Sequence, residues 1–131
     1  MTPVGTVIWQ GMSRALQVTS RAELVWAIEQ ALKEAQSRGM PLSLELCVHN
    51  TGVMSIVVGA ERSYLVFKPQ NGRFCHVADD VKQGTCMVFL EDGHLSEIDL
   101  KFTVPFELAR EALLSFAETG EIPRTLSWMS A

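Results

Sequence analysis

The sequence has no long hydrophobic run, no export signal and no disulfide pattern. No part of the 131-residue chain approaches the roughly 18–20 consecutive apolar residues of a membrane-spanning helix. Its N-terminus lacks a basic region followed by an apolar core. The three cysteines, Cys47, Cys75 and Cys86, are odd in number and lack CxxC spacing, which indicates reduced thiols. We therefore expect a cytoplasmic protein that does not associate with a membrane.

The chain also lacks a cluster of basic residues. Its formal net charge is −4 at pH 7, and lysine and arginine are scattered along the sequence. Binding to nucleic acid requires a basic face that neutralises phosphates, so we expect no direct contact with nucleic acid. A basic protein partner suits the charge better, although modest acidity is also common in cytoplasmic proteins without one.

Motifs of catalysis and metal binding are missing as well. The sequence has no GxSxG, P-loop or GxGxxG, and no cysteine lies at a helix start or glycine-rich elbow that would lower its pKa. Cysteine and histidine lie close together in three places: Cys47 and His49, Cys75 and His76, and Cys86 and His94. None has the spacing of a zinc site, which needs three or four converging ligands. We expect no enzyme activity, no metal and no cofactor. A Cys/His-dependent hydrolase is the enzymatic alternative, because such catalytic partners are distant in sequence.

Two stretches have the periodicity of amphipathic helices. The first begins with a capping-box pattern, Ser20 and Glu23, and should end at Gly39. Its predicted apolar positions are Leu24, Val25, Ile28, Ala31, Leu32 and Ala35. The second should begin with Pro105 as its first helical residue and close at Gly120, with Pro123 preventing its continuation. Its apolar stripe is Ala109, Ala112, Leu113 and Phe116.

The rest of the chain alternates with period two, which predicts strands. The predicted strands are 4–9, 16–18, 42–48, 54–58, 63–68, 74–78, 85–90, 95–102 and 124–128. Asn71-Gly72 and Asp92-Gly93 are turn signals that join neighbouring strands as hairpins. The fold class is therefore α+β, with an antiparallel sheet of about six to seven strands. Both helices pack on one face of the sheet and leave the other face open.

Nothing in the chain suggests a second domain. There is no internal repeat, low-complexity tract or linker, so residues 1–131 are expected to form one domain. Residues 1–17 are the hardest to interpret.

Acidic residues gather at the predicted turns and on the wet faces of strands. They are Glu91, Asp92, Glu97, Asp99, Asp79, Asp80 and Glu45. Paired carboxylates for acid–base catalysis are one interpretation, but they need a desolvated cleft and turns are wet. A charged sheet edge that prevents self-association is the second, and a surface for a basic partner is the third.

The C-terminal stretch VPFELAREALLSFAETGEIPRTLSW resembles the signature of a bacterial immunity-protein family, numbered first among those of polymorphic toxin systems. The matching residues are Val104-Pro105, Ala109, Ala112, Phe116, Thr119-Gly120, Pro123 and Trp128. HVADD at 76–80 and FLEDGHLSEI at 89–98 resemble the middle of the family, and the likeness extends over residues 18–130. The chain departs from the pattern at Met129, where the family often has an acidic residue.

The resemblance implies a cytoplasmic protein that binds and neutralises a cognate toxin domain, often a nucleic-acid deaminase. A toxin of that type needs a basic substrate channel, which an acidic surface can occlude. The hypothesised partner-binding residues are Glu91, Asp92, Glu97, Asp99, Asp79, Asp80 and Glu45. Ala109, Phe116, Gly120 and Trp128 are expected to hold helix to sheet. A secretion-chaperone-like binding module is the main alternative, and the protein is expected to be a monomer or a homodimer.

Overall fold

The computed structural model describes residues 5–9, 15–73, 75–77, 86–91, 93–124 and 126–130. Two α-helices, α1 (Arg21–Arg38) and α2 (Phe106–Thr119), separate groups of short strands. The strands are β1 (Gly5–Trp9), β2 (Leu16–Val18), β3 (Leu42–Val48), β4 (Gly52–Val58), β5 (Arg62–Tyr64), β6 (Val66–Pro69), β7 (Cys75–Val77), β8 (Cys86–Glu91), β9 (His94–Asp99), β10 (Thr103–Pro105) and β11 (Trp128–Ser130). A 3-10 helix, Leu100–Phe102, links β9 to β10.

Nine of these strands form one sheet in which the pairing is mostly antiparallel. Seven lie in the order β11-β7-β6-β4-β3-β1-β2. The β8–β9 hairpin joins β3 through a parallel bridge between Leu42 and Leu90. The other two strands, β5 and β10, form a separate small sheet. The predicted α+β class is confirmed, with shorter and more numerous strands than the sequence pattern indicated.

Both helices bury their apolar stripes in one core against the same face of the large sheet. The helical residues of this core are Leu24, Ala27, Ile28, Ala31, Ala35, Ala109, Ala112, Leu113, Leu114 and Phe116. They pack against Leu42, Leu44, Leu46, Met54, Ile56 and Val58, which alternate along β3 and β4. Small residues on α1 and α2 let the helices lie close to the sheet. The predicted packing of both helices on one face is therefore confirmed.

The predicted ends of α1 are confirmed. The Ser20 hydroxyl accepts a hydrogen bond from the backbone N–H of Glu23 at 3.1 Å. In a standard capping box the glutamate carboxylate accepts from the N–H of the N-cap residue. Here the Glu23 carboxylate accepts from the N–H and the hydroxyl of Thr19, the residue before the N-cap. Both hydrogen bonds lower the pKa of Glu23, and the one from the Thr19 hydroxyl has the larger effect. Gly39 closes the helix with a left-handed φ of 66°.

Loss of this cap gives a first prediction. The Ser20→Ala variant should lose about 1 kcal/mol of unfolding free energy, because the N–H of Glu23 loses its acceptor. The matched control is Ser37→Ala, since Ser37 is exposed within the same helix. Urea denaturation of both variants measures the difference. Equal stability of the two variants would contradict the capping role.

The start of α2 differs from the prediction by one residue. Pro105 ends β10, paired with Arg62 of β5, and its φ of −54° and ψ of 141° are those of extended backbone. The N–H of Phe106 donates to the carbonyl of Glu61 at 2.8 Å, so the chain stays paired with β5 up to the helix. Pro105 is therefore the N-cap, and α2 begins at Phe106. Gly120, with φ of 73°, ends the helix as predicted.

Several predicted strands have other bounds in the structure: the 54–58 strand begins at Gly52 and the 85–90 strand extends to Glu91, and three others differ more. The 63–68 strand divides at the fully buried Leu65 into β5 and β6, which belong to different sheets. The 95–102 strand ends at Asp99, because its carboxylate caps the 3-10 helix by accepting from the N–H of Lys101 at 3.0 Å. The 124–128 strand begins only at Trp128, whose Nε1 donates to the carbonyl of Pro123 at 2.8 Å. Several predicted strand residues lie outside the described residues: Val4, Phe74, Ala78, Thr85 and Thr125.

We use the term far face for the face of the large sheet opposite α1 and α2. The sequence predicted that this face is open, but the β8–β9 hairpin covers part of it. Met87 and Phe89 of β8 pack with Val57 of β4 in a second, smaller core. Ile98 and Leu100 lie at the margin of this core. The hairpin therefore borders the uncovered part of the far face.

Candidate partner-binding surface

A groove on the far face is lined by residues from five strands. Its volume is about 450 Å³, and its lining residues are Glu45, Val53, Ser55, Tyr64, Val66, Lys68 and Glu91. We call it the acidic groove, because its lining has two carboxylates and one ammonium group. Glu45 is exposed and Glu91 is half-buried. Strand alternation explains the position of Glu45, since its neighbours Leu44 and Leu46 point into the core on the helix side.

The acidic groove lies on a row of directly paired residues that crosses six strands. From β1 to β11 the row is Ile8, Glu45, Ser55, Val66, His76 and Met129. With strands about 4.8 Å apart, the row spans roughly 24 Å. Its ends are exposed apolar side chains, with Ile8 37% and Met129 47% accessible. The far face therefore combines the acidic groove with exposed apolar residues at both ends of the row.

Tyr64 connects the acidic groove to the hairpin. Its ring lies 6.3 Å from Phe89 of the second core and 6.3 Å from the His76 ring. Burial raises the pKa of the Tyr64 phenol, and the nearby charge of Glu91 raises it further. The phenol therefore stays protonated to a higher pH than an ordinary tyrosine and keeps a hydrogen to donate. A carbonyl group entering the groove would find that donor beside Glu91.

The predicted acidic residues do not form one patch. Glu45 and Glu91 line the same groove, whereas Glu97 and Asp99 lie on the opposite side of the hairpin. The reason is the hairpin register, in which Glu91 pairs with His94 while Glu97 pairs with Val88. Pairs three residues apart along a strand point to opposite faces. The other three hypothesised residues, Asp79, Asp80 and Asp92, lie outside the described residues.

We call the second side of the hairpin its outer side. It is formed by the register pairs Cys86–Asp99, Val88–Glu97 and Leu90–Leu95. Leu95 is 64% accessible and Val88 38%, so this side combines exposed apolar groups with two carboxylates. The Cys86 thiol is hydrogen-bonded to Glu97, which raises its pKa, and the charges of Glu97 and Asp99 add to the shift.

The elevated pKa of Cys86 gives a testable consequence. A raised pKa keeps the thiol protonated to higher pH, so Glu97→Gln should lower that pKa and speed alkylation at pH 8. The rate of reaction with iodoacetamide, measured against pH in a Cys47→Ser, Cys75→Ser background, tests this. Glu91→Gln is the control, because Glu91 faces the acidic groove. A pH profile unchanged by Glu97→Gln would contradict the assigned contact.

The pKa shifts of the thiols bear on the hydrolase alternative. Burial raises the pKa of Cys75, and the Glu97 hydrogen bond raises that of Cys86. A nucleophilic cysteine needs the opposite shift.

Within the described part of the chain, no group of three or more histidine, cysteine, aspartate or glutamate residues could hold a metal ion. No helix there is long and apolar enough to cross a membrane.

Sequence patterns missed several residues of this surface. Ser55, Val66 and Tyr64 carry no charge, so nothing singled them out as site residues. Period-two alternation marked Ser55 as pointing away from the core, but only the pairing of β4 with β3 and β6 places it between Glu45 and Val66. Met129 lies on the same row beside His76.

Comparison with known proteins identifies one family. The family model described as immunity protein Imm1 matches residues 12–130, which include both helices and the residues of the acidic groove. No curated protein matches the chain.

Proposed function

The chain belongs to the immunity protein Imm1 family, and from this membership we propose that it binds a cognate toxin domain and blocks the toxin's substrate site. The toxin we propose acts on nucleic acid, as a deaminase does. Such an enzyme must hold a phosphate backbone, so its substrate channel is basic. Inhibition would then occur inside the producing cell, where the substrate nucleic acid lies.

One observation supports this mechanism above the others. Glu45 and Glu91 line one groove on the face of the sheet that the helices leave uncovered. Carboxylates placed there offer the same charge as the phosphates that a basic channel recognises. Opposite charges speed and orient the encounter, and contacts that become buried are screened less by salt than exposed ones. The far face thus competes with nucleic acid for the same cationic residues.

The dimensions of the far face suit a stable protein complex. The row that crosses six strands spans roughly 24 Å, close to the width of a standard interface of about 800 Å² per partner. Apolar residues at its ends, Ile8 and Met129, would lose water on binding. Burial of apolar area supplies affinity, while the central carboxylates supply orientation. We therefore propose that the protein acts by occupying the toxin and transforms no substrate of its own.

Titration of a purified toxin tests the proposal. The catalytic toxin domain encoded next to this chain's gene is mixed with increasing amounts of the protein, and cleavage or deamination of a nucleic acid is measured. We expect activity to disappear at a one-to-one ratio, with a folded complex on size-exclusion chromatography. Full activity at a tenfold excess would contradict the proposal. Binding to unfolded toxin alone would instead favour the secretion-chaperone alternative.

A further inference from the structure

We propose that the outer edge of β9 receives an extended basic segment of the toxin as an added strand. The inference rests on the proposed function and specifies how part of the toxin would be held. Strand addition uses main-chain hydrogen bonds for affinity and alternate side chains for specificity. Both requirements can be examined in the β8–β9 hairpin.

The backbone of β9 has an outer edge that no other described strand occupies. Among the described strands, β9 pairs only with β8, along six residue pairs from Glu91–His94 to Cys86–Asp99. Glu91 and His94 are paired with two residues between them, and such a pair at the end of an antiparallel hairpin is hydrogen-bonded. Hydrogen-bonded and non-hydrogen-bonded pairs then alternate along an antiparallel ladder. The N–H and C=O groups of Leu95, Glu97 and Asp99 therefore point to the outer edge.

The side chains of the same three residues indicate what the added strand carries. Leu95, Glu97 and Asp99 all point to the outer side of the hairpin, where Val88 and Cys86 flank them. A strand added at this edge places its alternate residues opposite them on that side. Lysine or arginine at two alternate positions would face Glu97 and Asp99, and an apolar residue two positions further would face Leu95. The fitting partner is thus an extended segment with alternating basic residues.

A second copy of this chain fits the edge poorly. Antiparallel pairing of two β9 strands about a twofold axis keeps the outer side of each hairpin on the same side of the joined sheet. Glu97 and Asp99 from both copies would then share one surface, and like charges across strands are destabilising. The acidic residues therefore disfavour self-pairing, as charged edges do in many sheets. They favour a basic strand instead.

Two substitutions at Glu97 separate the main-chain contact from the charge. Glu97→Gln removes the charge and keeps the N–H, whereas Glu97→Pro removes both. Proline is tolerated on an edge strand where the N–H of the residue it replaces points away from the sheet, so the hairpin should persist. We expect the E97P protein to bind the toxin domain about tenfold more weakly than the E97Q protein, as measured by isothermal titration calorimetry. Equal affinity of the two variants would overturn the inference.

Amide hydrogen exchange in the wild-type protein provides an independent measurement. In the free protein, Ser96 and Ile98 should exchange slowly, and Leu95 and Glu97 fast. Addition of the catalytically inactivated toxin domain should protect Leu95 and Glu97. Fast exchange at both residues in an inhibited one-to-one complex would overturn strand addition while leaving the proposed function intact. Failure of the wild-type protein to inhibit the active toxin would overturn both.

Discussion

Replacement of Phe116 by alanine is expected to lower the free energy of unfolding by about 3–5 kcal/mol. The Phe116 ring is fully buried on α2 and packs edge-to-face on Phe67 of β6, with ring centroids 5.2 Å apart. Its removal takes away both apolar burial and an aromatic contact, and leaves a cavity between helix and sheet. Because a domain of this size has only about 5–15 kcal/mol of stability, the loss is a large fraction of the total.

Guanidinium denaturation of three variants measures this effect against a matched pair on the same helix. Leu113 is fully buried and Leu108 is 47% accessible, so the same change to alanine tests burial alone. We expect Leu113→Ala to cost about 2–5 kcal/mol and Leu108→Ala to cost under about 1 kcal/mol. A Phe116→Ala loss no larger than that of Leu108→Ala would show that α2 is not anchored through this ring.

Reversal of both charges in the acidic groove should weaken toxin binding by about 1–3 kcal/mol, or roughly 5- to 150-fold in Kd. The variant is Glu45→Lys with Glu91→Lys, which turns the acidic groove basic. Most of the loss should appear in the association rate at low salt, because charge complementarity steers the encounter. Surface plasmon resonance at two ionic strengths measures both rate constants.

The control for that reversal has the same change in net charge at another place. Glu29→Lys with Glu121→Lys alters two exposed residues, one on α1 and one just after α2. If charge acts locally in the groove, this control should bind nearly as well as the unchanged protein. Thermal unfolding of both variants verifies that they are folded. Equal weakening by the two variants would mean that only net charge matters and that the groove is not the contact.

Local sequence signals were sufficient for the helices. Ser20, Gly39 and Gly120 marked their ends because caps depend on the conformation of one or two residues. The apolar stripes were also readable, since helical spacing alone decides which residues share a face. Pro105 was misplaced by one residue because a pairing with Arg62, distant in the chain, keeps it extended. A tertiary contact overrode the local preference there.

Strand pairing was the part that the sequence did not specify. Alternation showed which residues of β3 and β4 point away from the core, but not which strands lie side by side. The division at Leu65, the separate pairing of β5 with β10 and the meeting of Glu45 with Glu91 all depend on long-range register. Such pairings are decided by the packing of the whole sheet and leave little local trace.

One feature of the site was within reach of sequence reasoning. The turn signal Asp92-Gly93 predicts that Glu91 pairs with His94, as observed, and counting along the hairpin then puts Glu97 on the other side. The spacing of these acidic residues around the turn is therefore sufficient to divide them between two faces. The cover that Met87 and Phe89 place over Val57 is not predictable in this way, because it requires the position of the hairpin relative to β4.

The kinetic form of inhibition tests the central claim most directly. Toxin activity is measured at several concentrations of nucleic acid, each with a series of concentrations of this protein. If the far face occupies the basic substrate channel, inhibition is competitive, so that the apparent inhibition constant rises linearly with substrate concentration. The constant corrected for substrate competition should fall as salt is lowered. An inhibition constant independent of substrate concentration would contradict occlusion and place the contact away from the channel.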